Sequence, residues 1–295
     1  MSRIANVMVA ALAMASVGVI ALELWPLPAA AVLTEHVGDA KRGAYLARLS
    51  GCITCHTKQG ELPLSGGPAL VSRFGSFYAP NITADAEAGI GNWSFEQFVR
   101  AVRQGVSPEG EPYYPAFPYE FYAALTDRDL ADLWAAVRES PASNTPSRDH
   151  EVGFPFNVRS GLKVWRTFFE RPVSYTPDPE RTLEWNRGQY LVWGPAHCAA
   201  CHAPRNALGG LPSARTLSGD PQMQDGGIAP PLTARELTAR GYTKAALVHA
   251  LKTGVTPDGD VFGGSMAEVV HGSTEFLLTT HLEDIAAYLL DIGAR

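Results

Sequence analysis

Two short runs, Cys52-Ile53-Thr54-Cys55-His56 and Cys198-Ala199-Ala200-Cys201-His202, contain all four cysteines of this 295-residue chain. Two thiols with two residues between them match the vinyl groups of one porphyrin, and a histidine directly after them falls on the iron as an imidazole ligand. Each run therefore reads as an attachment site for a c-type haem. Cys52, Cys55, Cys198 and Cys201 are the thioether carriers, and His56 and His202 are the axial ligands to iron. Zinc and thioredoxin-like redox chemistry are the rivals for a bare Cys-x-x-Cys. Zinc-ribbon pairs lie roughly 15–20 residues apart, whereas a domain's length of chain separates these two. The expected cofactors are two covalently bound haem c groups, and no cysteine is left for a disulfide.

The elements that carry these sites come from a chain long enough for two ordinary domains. A formal net charge of −6 and the lack of a dense Lys/Arg run argue against nucleic acid as a partner. At the start, Arg3 precedes an apolar stretch from Val7 to Leu22. Glu23 ends it, and Trp25-Pro26-Leu27-Pro28 breaks any helix. Ala29-Ala30-Ala31 offers small residues to a signal peptidase. The stretch is long for a signal core and short for the roughly 20 residues of a membrane span, and Trp25 suits a membrane interface. Residues 1–31 thus read as a cleaved signal peptide or as an inner-membrane anchor formed by residues 4–25. Either way the haem motif implies a periplasmic location, because c-type haem is attached after export in bacteria.

The two halves repeat each other. Arg42-Gly43-Ala44-Tyr45-Leu46 answers to Arg187-Gly188-Gln189-Tyr190-Leu191, and Ala79-Pro80-Asn81-Ile82-Thr83 to Ala229-Pro230-Pro231-Leu232-Thr233. Gly105-Val106-Ser107-Pro108-Glu109-Gly110 answers to Gly254-Val255-Thr256-Pro257-Asp258-Gly259. This is duplication of one roughly 100-residue unit. Each unit reads as a small all-α domain, spanning 36–140 and 184–295. A helix carries Tyr45 and Leu46 into the first motif, and a Gly/Pro-rich stretch then wraps the cofactor edge. Ser94-Phe95-Glu96-Gln97 is a capping box that opens a helix ending at Gly105. Leu130, Leu133, Trp134 and Val137 lie at helical spacing behind Thr126 or Asp127, as do Leu282, Ile285, Tyr288 and Leu289 in the second unit. The linker, 141–183, is irregular but too apolar to be free, so it should pack across both domains.

The duplication exposes a difference. Met266, in Gly264-Ser265-Met266-Ala267, lies where a class I cytochrome c supplies its distal thioether, and it is the expected sixth ligand of the second haem. Laid over it without a gap, the first unit offers Phe117 in Tyr114-Pro115-Ala116-Phe117-Pro118-Tyr119, which has no lone pair for iron. No methionine lies between Met14 and Met223. His/Met ligation favours ferrous iron and raises the potential, so the second haem is the expected high-potential centre. The first haem has His56 and a sixth position open to His150, His36, Lys58, Tyr113, Tyr114 or Tyr122. Pro68 and Pro204 are candidates to lend a carbonyl to the ligand histidines. Arg73, Arg159 and Arg205 are candidates to pair with haem propionates.

With those residues in hand, the chain resembles the cytochrome c subunits of membrane-bound periplasmic alcohol- and gluconate-type dehydrogenases. The likeness runs through Gly89-Ile90-Gly91-Asn92-Trp93-Ser94, Tyr114-Pro115-Ala116-Phe117-Pro118-Tyr119, Phe154-Pro155-Phe156-Asn157-Val158-Arg159, Cys201-His202-Ala203-Pro204-Arg205-Asn206 and Ser265-Met266-Ala267-Glu268-Val269-Val270. It implies an all-α fold of two tandem class I cytochrome c-like domains. It also implies a carrier that takes single electrons from a periplasmic dehydrogenase and passes them to quinone, another cytochrome or an oxidase. Two departures stand out: many members of that family hold three haems, and many hold methionine where Phe117 stands. A dihaem peroxidase, with the first haem as its open reactive iron, is the alternative reading.

Overall fold

Asp39 starts the first helix by accepting a hydrogen bond from Arg42 N, giving α1 (Ala40–Leu49), which runs through Ser50-Gly51 into the one-turn helix α2 (Cys52–His56). The computed structural model describes residues 16–293 apart from 19, 22, 31 and 213–215. Most of the apolar stretch at the start therefore lies outside the described residues. Among the described residues no helix is long and apolar enough to cross a membrane.

After α2 the chain forms an antiparallel hairpin, β1 (Ala69–Ser72) and β2 (Gly75–Tyr78), whose register pairs Ser72 with Gly75 around Arg73-Phe74. The helix α3 (Phe95–Gln104) has its capping box in place. Ser94 Oγ accepts from Gln97 N, Gln97 Oε1 accepts from Ser94 N, and Gly105 ends the helix in the left-handed conformation. Then come a single turn, α4 (Tyr119–Tyr122), and α5 (Asp127–Arg138), capped by Thr126. The linker holds β3 (Glu151–Val152), which pairs with β2, and α6 (Ser160–Phe169). The second half runs α7 (Leu183–Trp193), α8 (Ala199–His202), α9 (Ala234–Ala239), α10 (Lys244–Thr253), α11 (Gly264–Gly272) and α12 (Thr279–Leu289).

Two expectations need correction. The fold is mostly helical but not all-α, because a three-stranded sheet β1-β2-β3 joins the first half to the linker. Its hairpin lies in the stretch read as loop. β3 can approach only because position 75 lacks a side chain: a Cβ there would stand 2.3 Å from Glu151 O. The linker is likewise less irregular than expected, since α6 is a helix of nearly three turns. It does pack across both halves. Arg166 donates to the carbonyls of Gln104 and Gly105 in the first, and Trp165 Nε1 donates to Leu208 O in the second at 2.8 Å.

The repeated Arg-Gly-x-Tyr-Leu run now has a physical account. In each half the first helix packs on the last, α1 on α5 and α7 on α12. The glycine marks the closest approach, where Gly43 lies against Asp132 O and Gly188 against Asp284 O. The arginine pairs with a buried aspartate of the facing helix: Arg42 with Asp132 and Asp129, and Arg187 with Asp284 at 2.9 Å. The leucine enters the core. The tyrosine does something else, reaching over to the other half. Tyr45 Oη meets His281 Nδ1 at 2.6 Å and accepts from Leu278 N, while Tyr190 Oη donates to Asp129 and accepts from Thr126 N. The two contacts are near mirror images, one built on a histidine and one on a carboxylate.

That histidine gives the interface a pH dependence. Burial is the main influence holding the His281 imidazole below its ordinary value of 6.5. The unfolded chain therefore binds its proton more readily, and stability from this group is full above pH 6.5 and declines as pH falls below it. His281→Gln should flatten the acid side of a stability–pH curve below pH 6.5. An unchanged acid limb in urea titrations would remove this role from His281.

Candidate functional site

The two Cys-x-x-Cys-His runs, remote in sequence, come together in space. Burial pushes the Cys55 thiol up to about 11, and the next contribution comes from Cys201 of the other run, followed by Glu268 on α11. A side chain at Gly272 would meet Thr54 at 2.2 Å, so the end of α11 rests directly on α2. Ser273 Oγ reaches Leu49 O at the end of α1, and Gly194, before the second run, lies against Ala124, beyond α4. Each half thus sets its post-turn helix against the other half's motif.

Each motif histidine is oriented by one hydrogen bond. His56 Nδ1 donates to Pro80 O and His202 Nδ1 to Pro230 O, both at 2.7 Å. This fixes the tautomer and leaves Nε2 as the lone-pair nitrogen, the arrangement expected of an imidazole that ligates a metal. Burial lowers the proton affinity of both rings. The prolines expected to supply these carbonyls, Pro68 and Pro204, do not. The real donors of the carbonyl are the prolines of the repeated Ala79-Pro80 and Ala229-Pro230 pairs, and that repetition was the available signal.

The cysteines suit thioethers better than thiolates. Burial raises Cys52 and Cys198 to about 12, and Cys201 is also raised. Thiolate chemistry and zinc binding call for the opposite shift. Among the described residues no three His, Cys, Asp or Glu side chains converge on a free-ion site. A thioether carries no charge, so burial does not oppose haem attachment. Thr54 Oγ1, within the first motif, is buried and also lacks a partner within the protein. The residues present fit two covalently held haems, and each haem would supply a one-electron Fe(III)/Fe(II) couple.

The sixth positions differ between the halves. Backbone bonds hold the two turns in one register up to Tyr113 and Phe262, whose amides bond to Gly105 O and Gly254 O at 2.8 Å in each case. Beyond that point they diverge. The second half continues into α11 with Met266 in its first turn, partly buried against the core. The first half turns at Tyr114–Phe117 and then makes α4. Phe117 is enclosed by the ring edges of Tyr113, Tyr119 and Tyr122.

Most candidates for the first haem's open position are engaged elsewhere. Lys58 pairs with Glu61, His150 Nδ1 accepts from Tyr78 N, Tyr114 Oη donates to Phe156 O, and Tyr122 Oη donates to Ser50 O. His36 is exposed. Tyr113 stays neutral, pushed to about 12 by burial. The arginines offered for propionates are also largely spent: Arg205 donates to Ala200 O and Gly209 O, and Arg73 to Asn206 O. Arg159 keeps its Nε free of partners.

Comparison with known proteins agrees with this chemistry. No family model matches the chain. A dihaem cytochrome c-type protein of Cereibacter sphaeroides is 38% identical over 262 residues, 87% of each chain. The cytochrome c subunit of gluconate 2-dehydrogenase from Pantoea cypripedii is 35% identical over 94% of this chain and 65% of its own length. The cytochrome c subunit of a quinone alcohol dehydrogenase from Gluconobacter oxydans is 36% identical over 92% of this chain and 60% of its own. The chain thus spans less than two thirds of these dehydrogenase subunits. None of these relatives is named as a peroxidase.

Proposed function

This chain belongs to the family of dihaem c-type cytochromes and dehydrogenase cytochrome c subunits and carries two covalently bound haem c groups, and from that premise we propose that it relays single electrons from a periplasmic dehydrogenase to a downstream acceptor: quinone, another cytochrome or an oxidase. The observation that carries this reading is the meeting of the two haem motifs, which is what a two-centre relay requires. We assign haem 1 to Cys52, Cys55 and His56 in a domain of residues 36–140. Haem 2 goes to Cys198, Cys201, His202 and Met266 in residues 184–295, with 141–183 as the packed linker. The two units are class I cytochrome c-like domains in tandem. Pro80 and Pro230 orient the imidazoles, and the aromatic cluster around Phe117 keeps water from the distal side of haem 1.

The EPR spectrum of the ferric dihaem protein tests the assignment. We expect high-spin iron amounting to about one haem per chain, and its conversion to low-spin in Phe117→Met. Two low-spin haems in the unmodified protein would mean that another side chain closes haem 1.

We place the protein in the periplasm, tethered to the inner membrane by its N-terminal segment. Docking of that segment on the body supports retention over cleavage. Trp25 Nε1 donates to Thr167 Oγ1 at 2.7 Å, and Gln104 donates to Ala29 O. Lys163, 8% exposed, donates to Glu23 O at 2.8 Å. Cleavage after Ala31 would leave that buried ammonium without its carbonyl, a costly state. The intact mass of protein extracted from membranes should include the residues before Val32. A mature N-terminus at Val32 would refute the tether.

A further inference from the structure

His197 stands apart by its backbone. Its φ of +37° is left-handed, a conformation shared among the described non-glycine residues only by Leu64. A residue in that conformation persists only where its surroundings hold it. His197 directly precedes Cys198, and its Nδ1–H donates to Pro195 O at 2.8 Å, which locks the ring. Nε2 has no hydrogen-bond partner among the described residues.

The ring itself projects into the other half of the molecule. It meets Tyr122 edge-on, with centroids 5.4 Å apart, and Phe121 at 6.4 Å. Its Cε1 lies 3.5 Å from where a side chain on Gly51 would begin. Gly51 is the N-cap of α2, directly before Cys52. Tyr122 donates to Ser50 O, directly before Gly51 and the first motif. One imidazole therefore joins the residue before the second motif to the residue before the first.

We propose that His197 is a positioning residue for electron exchange between the two haems, its ring forming the contact between the two attachment motifs across which one electron passes. One iron goes from Fe(II) to Fe(III) as the other goes from Fe(III) to Fe(II), and no proton moves. This rests on the assignment of the haems to the two motifs, so haem stoichiometry is measured first. Fewer than two haems per chain in the unmodified protein would defeat that assignment, not the role of His197.

The test compares His197→Gly, which relieves the left-handed backbone and removes the ring, with His197→Phe, which keeps a ring. Photochemical injection of one electron into the ferric dihaem protein reads the internal exchange rate, and spectroelectrochemistry reads both midpoint potentials. We expect His197→Gly to slow exchange by about tenfold or more with both potentials and spin states unchanged. His197→Phe should stay within about threefold of the parent. His197→Asn, ringless and tolerant of this backbone, should match His197→Gly and replaces it if glycine impairs haem loading. An unchanged rate in the ringless variants would overturn the proposal. So would a change of spin state at one haem, which would make His197 an axial ligand.

Discussion

Met266→Ala should lower the midpoint potential of one haem by on the order of 100 mV or more and leave the other where it was. The thioether is a neutral, soft donor that favours Fe(II), so its loss favours Fe(III) and moves the potential down. Axial ligands set haem potentials across roughly 0.8 V, which leaves room for a shift of that size. The structure supplies the setting: Met266 lies in the first turn of α11, partly buried, just past the point where the two halves diverge. Met266→His is the informative partner variant. It should also lower the potential, because a second imidazole lacks the thioether's preference for Fe(II), but it should keep the iron low-spin. Spectroelectrochemical titration with EPR reads both. Two unshifted potentials in Met266→Ala would remove it from the ligand set, and shifts at both haems would point to a general loss of structure.

The second large effect is on stability. Gly43→Ala and Gly188→Ala should each destabilise the protein at the upper end of the ~1–3 kcal/mol overpacking range or beyond. A Cβ at Gly43 would stand 1.8 Å from Asp132 O and 2.9 Å from the Ala136 side chain. At Gly188 it would stand 2.0 Å from Asp284 O and 2.7 Å from Tyr288 Cβ. The nearest obstacle is helix backbone in both, so relief requires moving α1 off α5 or α7 off α12. The ion pairs of Arg42 and Arg187, each made to buried aspartate, span the same interfaces and would be stretched with them. Gly161→Ala is the matched control: it lies on α6 with open space around it and should be neutral or mildly stabilising. Urea unfolding of the dihaem protein separates the three variants. Equal midpoints for Gly43→Ala and Gly161→Ala would mean that the helix pair yields easily.

Much of this was legible in the sequence because it is local. The capping box at Ser94, the Thr126 cap of α5 and the Gly105 stop are decided within a few residues, and all are found where the pattern puts them. The haem motifs are equally local. What sequence reading missed depends on partners far away in the chain. The hairpin at Ala69–Tyr78 is completed by β3 more than 70 residues later, and α6 is held by carbonyls from both halves. The carbonyl that orients each histidine comes from a proline 24 or 28 residues downstream, not from the nearest one. His197 reads as an ordinary loop residue until its backbone and its neighbours across the interface are seen. The gap between Phe117 and Met266 was visible as a residue difference. That α11 replaces a turn there was not.

The paired tyrosines carry an evolutionary consequence. Asp129 serves two masters: it binds Arg42 within its own half and Tyr190 from the other. Its counterpart at the other corner is His281, which receives Tyr45 but makes no ion pair with Arg187. After duplication, then, the copies did not stay interchangeable. One corner uses a carboxylate shared between fold and interface, and the other divides those duties between Asp284 and His281. The two corners therefore fasten the halves by different chemistry, one through an imidazole and one through a carboxylate.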